Sequence, residues 1–217
     1  MPRPRYPGAV TTEKFGVELR EWVTANLRAF SRREIPLDGR RPAAVALALV
    51  ADDEGRCCFV LTRRATRLRT HSGQFALPGG RIEAGESSDA AALRELQEEV
   101  GLELSPASVL GSLDDFATRS GFVITPVVVW CGDQHELRPD PAEVAIAYRV
   151  PLSELGRPGV PVLRAIPESD RPVLSLPLVG TLVHSPTAAI IYQLFEVGIH
   201  GRDTRVAHYE QPVFARS

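Results

Sequence analysis

The chain has 217 residues, 44% of them hydrophobic and 24% charged, and a net charge of −2. That composition suits a globular core and gives no general attraction for nucleic acid. There is no apolar run long enough to span a bilayer, and no signal-peptide core follows the proline-rich start Met1 to Pro7.

In chain order, residues 1–10 are expected to form a flexible arm, and residues 11–217 a single domain with its core at about 40–200. Residues 11–33 read as an amphipathic helix with Phe15, Leu19, Trp22, Val23 and Leu27 on one side. Residues 43–51 form an apolar strand. Asp52 to Gly55 make a turn, and residues 56–62 return as a second strand. A glycine loop and a glutamate-rich helix follow. Residues 109–116, 122–131 and 144–150 read as further strands. Residues 156–180 are proline-rich and read as irregular, with short strand candidates near Val162 and Val173. Residues 187–197 read as a helix after Pro186, which suits a first helical turn. The tail from Arg202 is a strand or a loop. Strands mixed with a few helices predict an α+β domain. Cys57, Cys58 and Cys131 form no Cys-x-x-Cys motif, so free thiols in a reducing cytoplasm are expected.

The chemistry concentrates in residues 80–102. Ser87, Ser88 and Asp89 provide caps or a negative first turn, and Gly101 is placed to end the helix in a left-handed turn. Leu93, Leu96 and Val100 share one apolar stripe, while Glu95, Glu98 and Glu99 share another face. Three carboxylates so close repel one another unless a divalent cation neutralises them. Oxygen-only ligands favour Mg²⁺ or Mn²⁺ over zinc or copper. Taken alone, the acidic face also fits a solvated helix.

The spacing of Gly80, Glu86, Arg94, Glu95, Glu98, Glu99 and Gly101 resembles the Nudix box at each defining position. The resemblance implies a mixed sheet between helices, an α/β/α sandwich, and hydrolysis of a diphosphate linked to another group. It implies Glu95 and Glu99 as metal ligands, with Glu98 a further ligand or the base. Glu86 supports the site. Arg94 pairs with a box glutamate and fixes its rotamer. The carbonyl of Gly79 is a further metal ligand. The identity of the base varies within the family and stays open. Glu143, just before a strand, is either a metal ligand or base, as in some relatives, or a solvated loop acid.

Upstream, Leu61-Thr62-Arg63-Arg64, then Leu68-Arg69-Thr70-His71-Ser72-Gly73-Gln74 and Pro78-Gly79-Gly80 resemble the segment that coenzyme A pyrophosphatases carry before their box. Arg63, Arg64, Arg67 and Arg69 suit an anionic substrate, because the guanidinium fork matches phosphate oxygens. His71 either contacts substrate or holds the loop. Two positions depart from that group. Its Trp-Gly-x-Thr-Ala stretch is replaced by His184-Ser185-Pro186-Thr187-Ala188, and Leu77 stands where phenylalanine is usual. The resemblance thus implies coenzyme A or its derivatives as substrate, giving 3′,5′-ADP and 4′-phosphopantetheine. ADP-ribose, NADH or a nucleoside triphosphate are the alternatives, and a non-catalytic nucleotide-sensing module is the reading from another class. The implied partner is a small nucleotide, with no nucleic acid or membrane. A homodimer is compatible with the terminal extensions.

Overall fold

The computed structural model describes residues 14–65, 73–132 and 136–212. Helix α1 spans Val17–Ala29 and buries Leu19, Val23 and Leu27. It is shorter than its apolar pattern suggests. Phe15 lies outside it and stacks on Trp130 at 3.9 Å between centroids. Beyond Ala29 the chain runs extended, because the backbone N–H groups of Arg33 and Ile35 donate to the side chains of Asp114 and Asp115.

Eight strands form the main sheet: β1 (Arg41–Ala51), β2 (Cys57–Arg64), β3 (Phe75–Ala76), β4 (Gly79–Arg81), β5 (Val109–Ser112), β6 (Phe116–Ala117), β7 (Phe122–Trp130) and β8 (Val144–Pro151). The central pair β1 and β7 is parallel, with Ala43 opposite Ile124. The remaining pairings are antiparallel, so the sheet is mixed. The expected strand over residues 109–116 is broken in two. Asp114 and Asp115 turn out of the ladder to bind Arg205 and Arg32.

Strand alternation sorts the two layers. Ala44, Ala46, Ala48 and Val50 face helix α2 (Ser88–Val100), where Ala91, Ala92, Leu96 and Val100 are buried. Leu47 and Leu49 face α1 and the C-terminal helix α3 (Thr187–Leu194). Helices therefore cover both faces, as an α/β/α sandwich requires. Among the described residues no helix is long and apolar enough to cross a membrane.

The proline-rich region, expected to be irregular apart from short strands near Val162 and Val173, is a second antiparallel sheet of β9 (Val162–Ile166), β10 (Ser169–Leu178) and β11 (Thr181–His184), and both candidate positions lie in its strands. Leu174, Leu176 and Leu178 alternate into the main core. Pro172 sits where the β9–β10 register shifts, a position that tolerates a missing donor. The tail from Arg202 is mostly loop, touching β10 through one bridge between Val173 and Glu210.

Val179 and Gly180 connect β10 to β11, with φ of 45° and 77°. A β-branched residue is disfavoured there, whereas Asn-Gly suits this turn. Val179→Asn is expected to stabilise the protein by about 1 kcal/mol. Urea unfolding would measure it, and a loss of stability would contradict the turn.

Candidate active site

Helix α2 is anchored at both ends as its sequence suggests. Ser87 Oγ accepts from the Ala90 N–H at 3.1 Å, and Gly101 closes the helix at φ 73°. The apolar stripe sits on β1. The other face directs Arg94, Glu95, Glu98 and Glu99 toward β4.

The seat on β4 depends on two glycines. A Cβ on Gly79 would lie 2.4 Å from the Ala44 carbonyl oxygen, and one on Gly80 would lie 2.1 Å from Glu95 Oε1. Only bare backbone lets β4 pair with β1 while the Glu95 carboxylate rests against it.

Arg94 is the hub of the cluster. Its Nε donates to Glu86 Oε1 at 2.9 Å, and its Nη1 donates to Glu95 Oε1 and Glu98 Oε2, each at 2.9 Å. Its Nη2 reaches the Arg81 carbonyl at 3.1 Å. The glycine loop, β4 and α2 are thus tied through one guanidinium. Glu86 also accepts from the Glu83 N–H at 2.9 Å. The bond from Arg94, with that N–H, holds its carboxyl below the usual range.

Glu99 is in the opposite position. It is 2% exposed, and among the described residues its nearest cation is Arg64, at 3.8 Å. Burial pushes its pKa up to about 8, with the charges of Glu95 and Glu143 adding to the push; Arg64 and the Gly79 N–H oppose it. Burial likewise raises Glu95, which is 9% exposed, against the pull of Arg94. Among the described residues, the two buried carboxylates therefore share too little positive charge.

The residues present fit a divalent cation by donor type and by charge. Glu95 and Glu99 offer hard oxygens, and burial disfavours their ionised forms until a cation joins them. Among the described residues no three acid, histidine or cysteine side chains already converge as a closed cage. Mg²⁺ needs no such cage, since it usually takes one or two carboxylates together with substrate phosphates.

The sequence-derived residues divide into three groups. Arg64, Gly79, Arg94, Glu95, Glu98 and Glu99 are brought together. Glu143 joins them through its charge, at a loop where its carbonyl accepts from the Ala65 N–H at 2.8 Å. Arg63 lies one residue from Arg64 on β2, opposite Phe75 and Ile146, where the register with β8 shifts. Arg67, Arg69 and His71 lie outside the described residues.

A cavity of about 290 Å³ shares Arg64, Gly79 and Gly80 with the carboxylate site. Val45, Phe75, Phe122, Ile124 and Ile190 give it apolar walls, and Thr187 and Gln211 give it polar ones. Gln211 is pinned there, accepting from the Arg119 N–H at 3.1 Å. The Arg119 side chain pairs with Glu210, whose carboxyl it holds down to about 2. Sequence reading missed these wall residues. Phe122 and Gln211 are 89 positions apart, so no local spacing joins them. The altered His184 to Ala188 stretch carried the one usable signal, because Pro186 and Thr187 line the cavity.

A mixed sheet between helices, with an acidic helix seated on a diglycine strand, defines a Nudix-type domain. Residues 40–175 match the NUDIX domain family, and the chain belongs to it. It is 40% identical over 118 residues to NudL of Photorhabdus laumondii, an uncharacterised Nudix hydrolase, covering 54% of this chain and 62% of that protein. It is 31% identical over 150 residues to Nudix hydrolase 3 of Caenorhabditis elegans, covering 65% of this chain and 62% of that protein. The matched stretches thus span less than two thirds of each relative. A Nudix hydrolase structure from Alicyclobacillus acidocaldarius superposes with a TM-score of 0.50 at 18% identity, over 73% of this chain and 92% of that one, a likeness of fold.

Two outcomes test this geometry. Gly80→Ala should displace the Glu95 carboxylate and lower turnover by about 100-fold with the fold retained. Unchanged kcat would contradict the close approach. The second outcome concerns pH. Because the fold raises the Glu99 pKa, it holds that proton more tightly than the unfolded chain does. The group favours folding most below the unfolded value of 4.5, and this contribution is lost as pH rises to about 8. Without divalent cations, the Tm of the wild type should fall over that range more steeply than that of Glu99→Gln. Parallel Tm profiles would contradict the assignment.

Proposed function

We propose that the protein is a divalent-metal-dependent pyrophosphohydrolase acting on coenzyme A or its derivatives. The carrying observation is the pair of buried, under-neutralised carboxylates, Glu95 and Glu99, against the bare backbone of Gly79 and Gly80. Glu95 and Glu99 would hold Mg²⁺ or Mn²⁺, with Glu98 and the Gly79 carbonyl as further oxygens. Such an ion shields the diphosphate charge and lowers the pKa of a water.

The chain's own residues do the remaining work. Arg94 fixes the rotamers of Glu86, Glu95 and Glu98 through its three ion pairs. Arg64 carries positive charge to the rim shared by the cavity and the carboxylates. A water oxygen attacks one phosphorus of the diphosphate, and the bond from that phosphorus to the bridging oxygen breaks. Glu98, whose side chain is 56% exposed, takes the water proton where it is not itself a metal ligand; Glu143 is the alternative base. Coenzyme A would give 3′,5′-ADP and 4′-phosphopantetheine.

Support for coenzyme A comes from the Leu61 to Gly80 segment, with Arg64 beside Glu99. ADP-ribose, NADH and nucleoside triphosphates would meet the same chemistry. A panel of these diphosphates with Mg²⁺ or Mn²⁺, read by product identity, tests the proposal. Coenzyme A should be cleaved, chelation should abolish turnover, and Glu99→Gln should lower kcat by about 100-fold or more. Cleavage of ADP-ribose with coenzyme A untouched would replace the substrate. Unchanged activity in Glu99→Gln would overturn the site.

A further inference from the structure

Arg41 and Arg81 stand over one aromatic ring. The guanidinium carbons lie 4.1 and 5.8 Å from the centroid of Phe122. Arg41 donates to the Ser120 carbonyl at 3.3 Å. Among the described residues neither arginine forms an ion pair with a carboxylate, whereas Arg94 nearby is surrounded by three. The ring face stabilises each guanidinium only in part. An anion bound by both would supply the missing negative charge.

Sheet register explains the placement. Arg41 is opposite Phe122 on the parallel pair, and Arg81 is opposite Ala43 on the antiparallel one. Arg41, Ala43 and Val45 share one face of β1 by alternation. Ala43, Val45, Ser120, Phe122 and Arg81 all line the cavity. Its volume of about 290 Å³ lies at the lower end for a ligand pocket, so it receives one end of a large substrate. Arg81 is two residues from Gly79, roughly 7 Å along the strand, so an anion at Arg81 is distinct from a diphosphate at the glutamates.

We infer that Arg41 and Arg81 form a second anion subsite, which takes a phosphate monoester on the nucleotide end of the substrate. This deepens the diphosphate-hydrolase reading and rests on it for the location of the diphosphate. Paired guanidinium forks match phosphate oxygens better than they match a sugar or a neutral base. Arg64 serves the carboxylate side, and the arginine pair selects among nucleotides that share a diphosphate.

Calorimetry with 3′,5′-ADP and with 5′-AMP tests the subsite without any turnover. The wild type should bind 3′,5′-ADP at least about tenfold tighter, the scale of one charged hydrogen bond. Arg41→Gln and Arg81→Gln should each bring that ratio toward one. The two residues are on different strands and are exposed, so either variant alone carries the test. A ratio near one in the wild type, or an unchanged ratio in both variants, would overturn the subsite. The kcat/KM ratio for coenzyme A over 3′-dephospho-coenzyme A should fall in the same variants. Equal losses on both substrates would also count against it. If neither compound is hydrolysed while the binding ratio holds, the subsite stands and the coenzyme A reading fails.

Discussion

The site depends on one close approach, that of helix α2 to the backbone of Gly79 and Gly80. A methyl group on either glycine would meet atoms at 2.1 to 2.4 Å. Without that clearance, β4 could not stay paired to β1 with Glu95 lying against it. The apolar stripe of α2 supplies the force that makes the approach possible, because Ala91, Ala92, Leu96 and Val100 are buried on the small side chains of β1. Alanine at positions 44, 46 and 48 keeps the helix close to the sheet. Packing on one face of the helix thus decides how near the carboxylates on its other face come to β4.

The charges around α2 are not evenly compensated. Arg94 answers Glu86, Glu95 and Glu98 together, and its bond to the Arg81 carbonyl ties the group to β4. Among the described residues the cation paired with Glu99 is Arg64, at 3.8 Å, and Glu99 is the more buried carboxylate. One part of the cluster is therefore a rigid frame, and the other carries a standing demand for positive charge. A cation that arrives with a substrate phosphate meets that demand. The same logic extends across the sheet. Arg41 and Arg81 carry the reverse imbalance, a local excess of positive charge on the cavity face.

The legible parts of the sequence were those whose signal is local. Helix α2 announced itself through its cap, its apolar stripe and Gly101, and the acids between them stood in register. Strands β1, β2, β7 and β8 were readable as apolar runs bounded by turns. Residues 156–180 were readable only near Val162 and Val173, because prolines obscured the alternation of Leu174, Leu176 and Leu178, which only the core contact makes meaningful. Helix α1 read too long because Phe15 has the right spacing but stacks on Trp130 instead. The cavity was the least legible feature. Its walls come from β1, β3, β7, the start of α3 and the C-terminal strap at Gln211. Nothing in the local sequence joins Arg119 to Glu210, or Arg41 to Phe122.

The central claim is that Glu95 and Glu99 form a cation site whose missing charge a metal supplies. Titration of the protein with Mn²⁺, followed by electron paramagnetic resonance, tests it most directly. Wild-type protein should bind Mn²⁺, and Glu99→Gln should weaken that binding by at least about tenfold while keeping the thermal transition of a folded protein. Equal Mn²⁺ affinity in the two proteins would contradict the account.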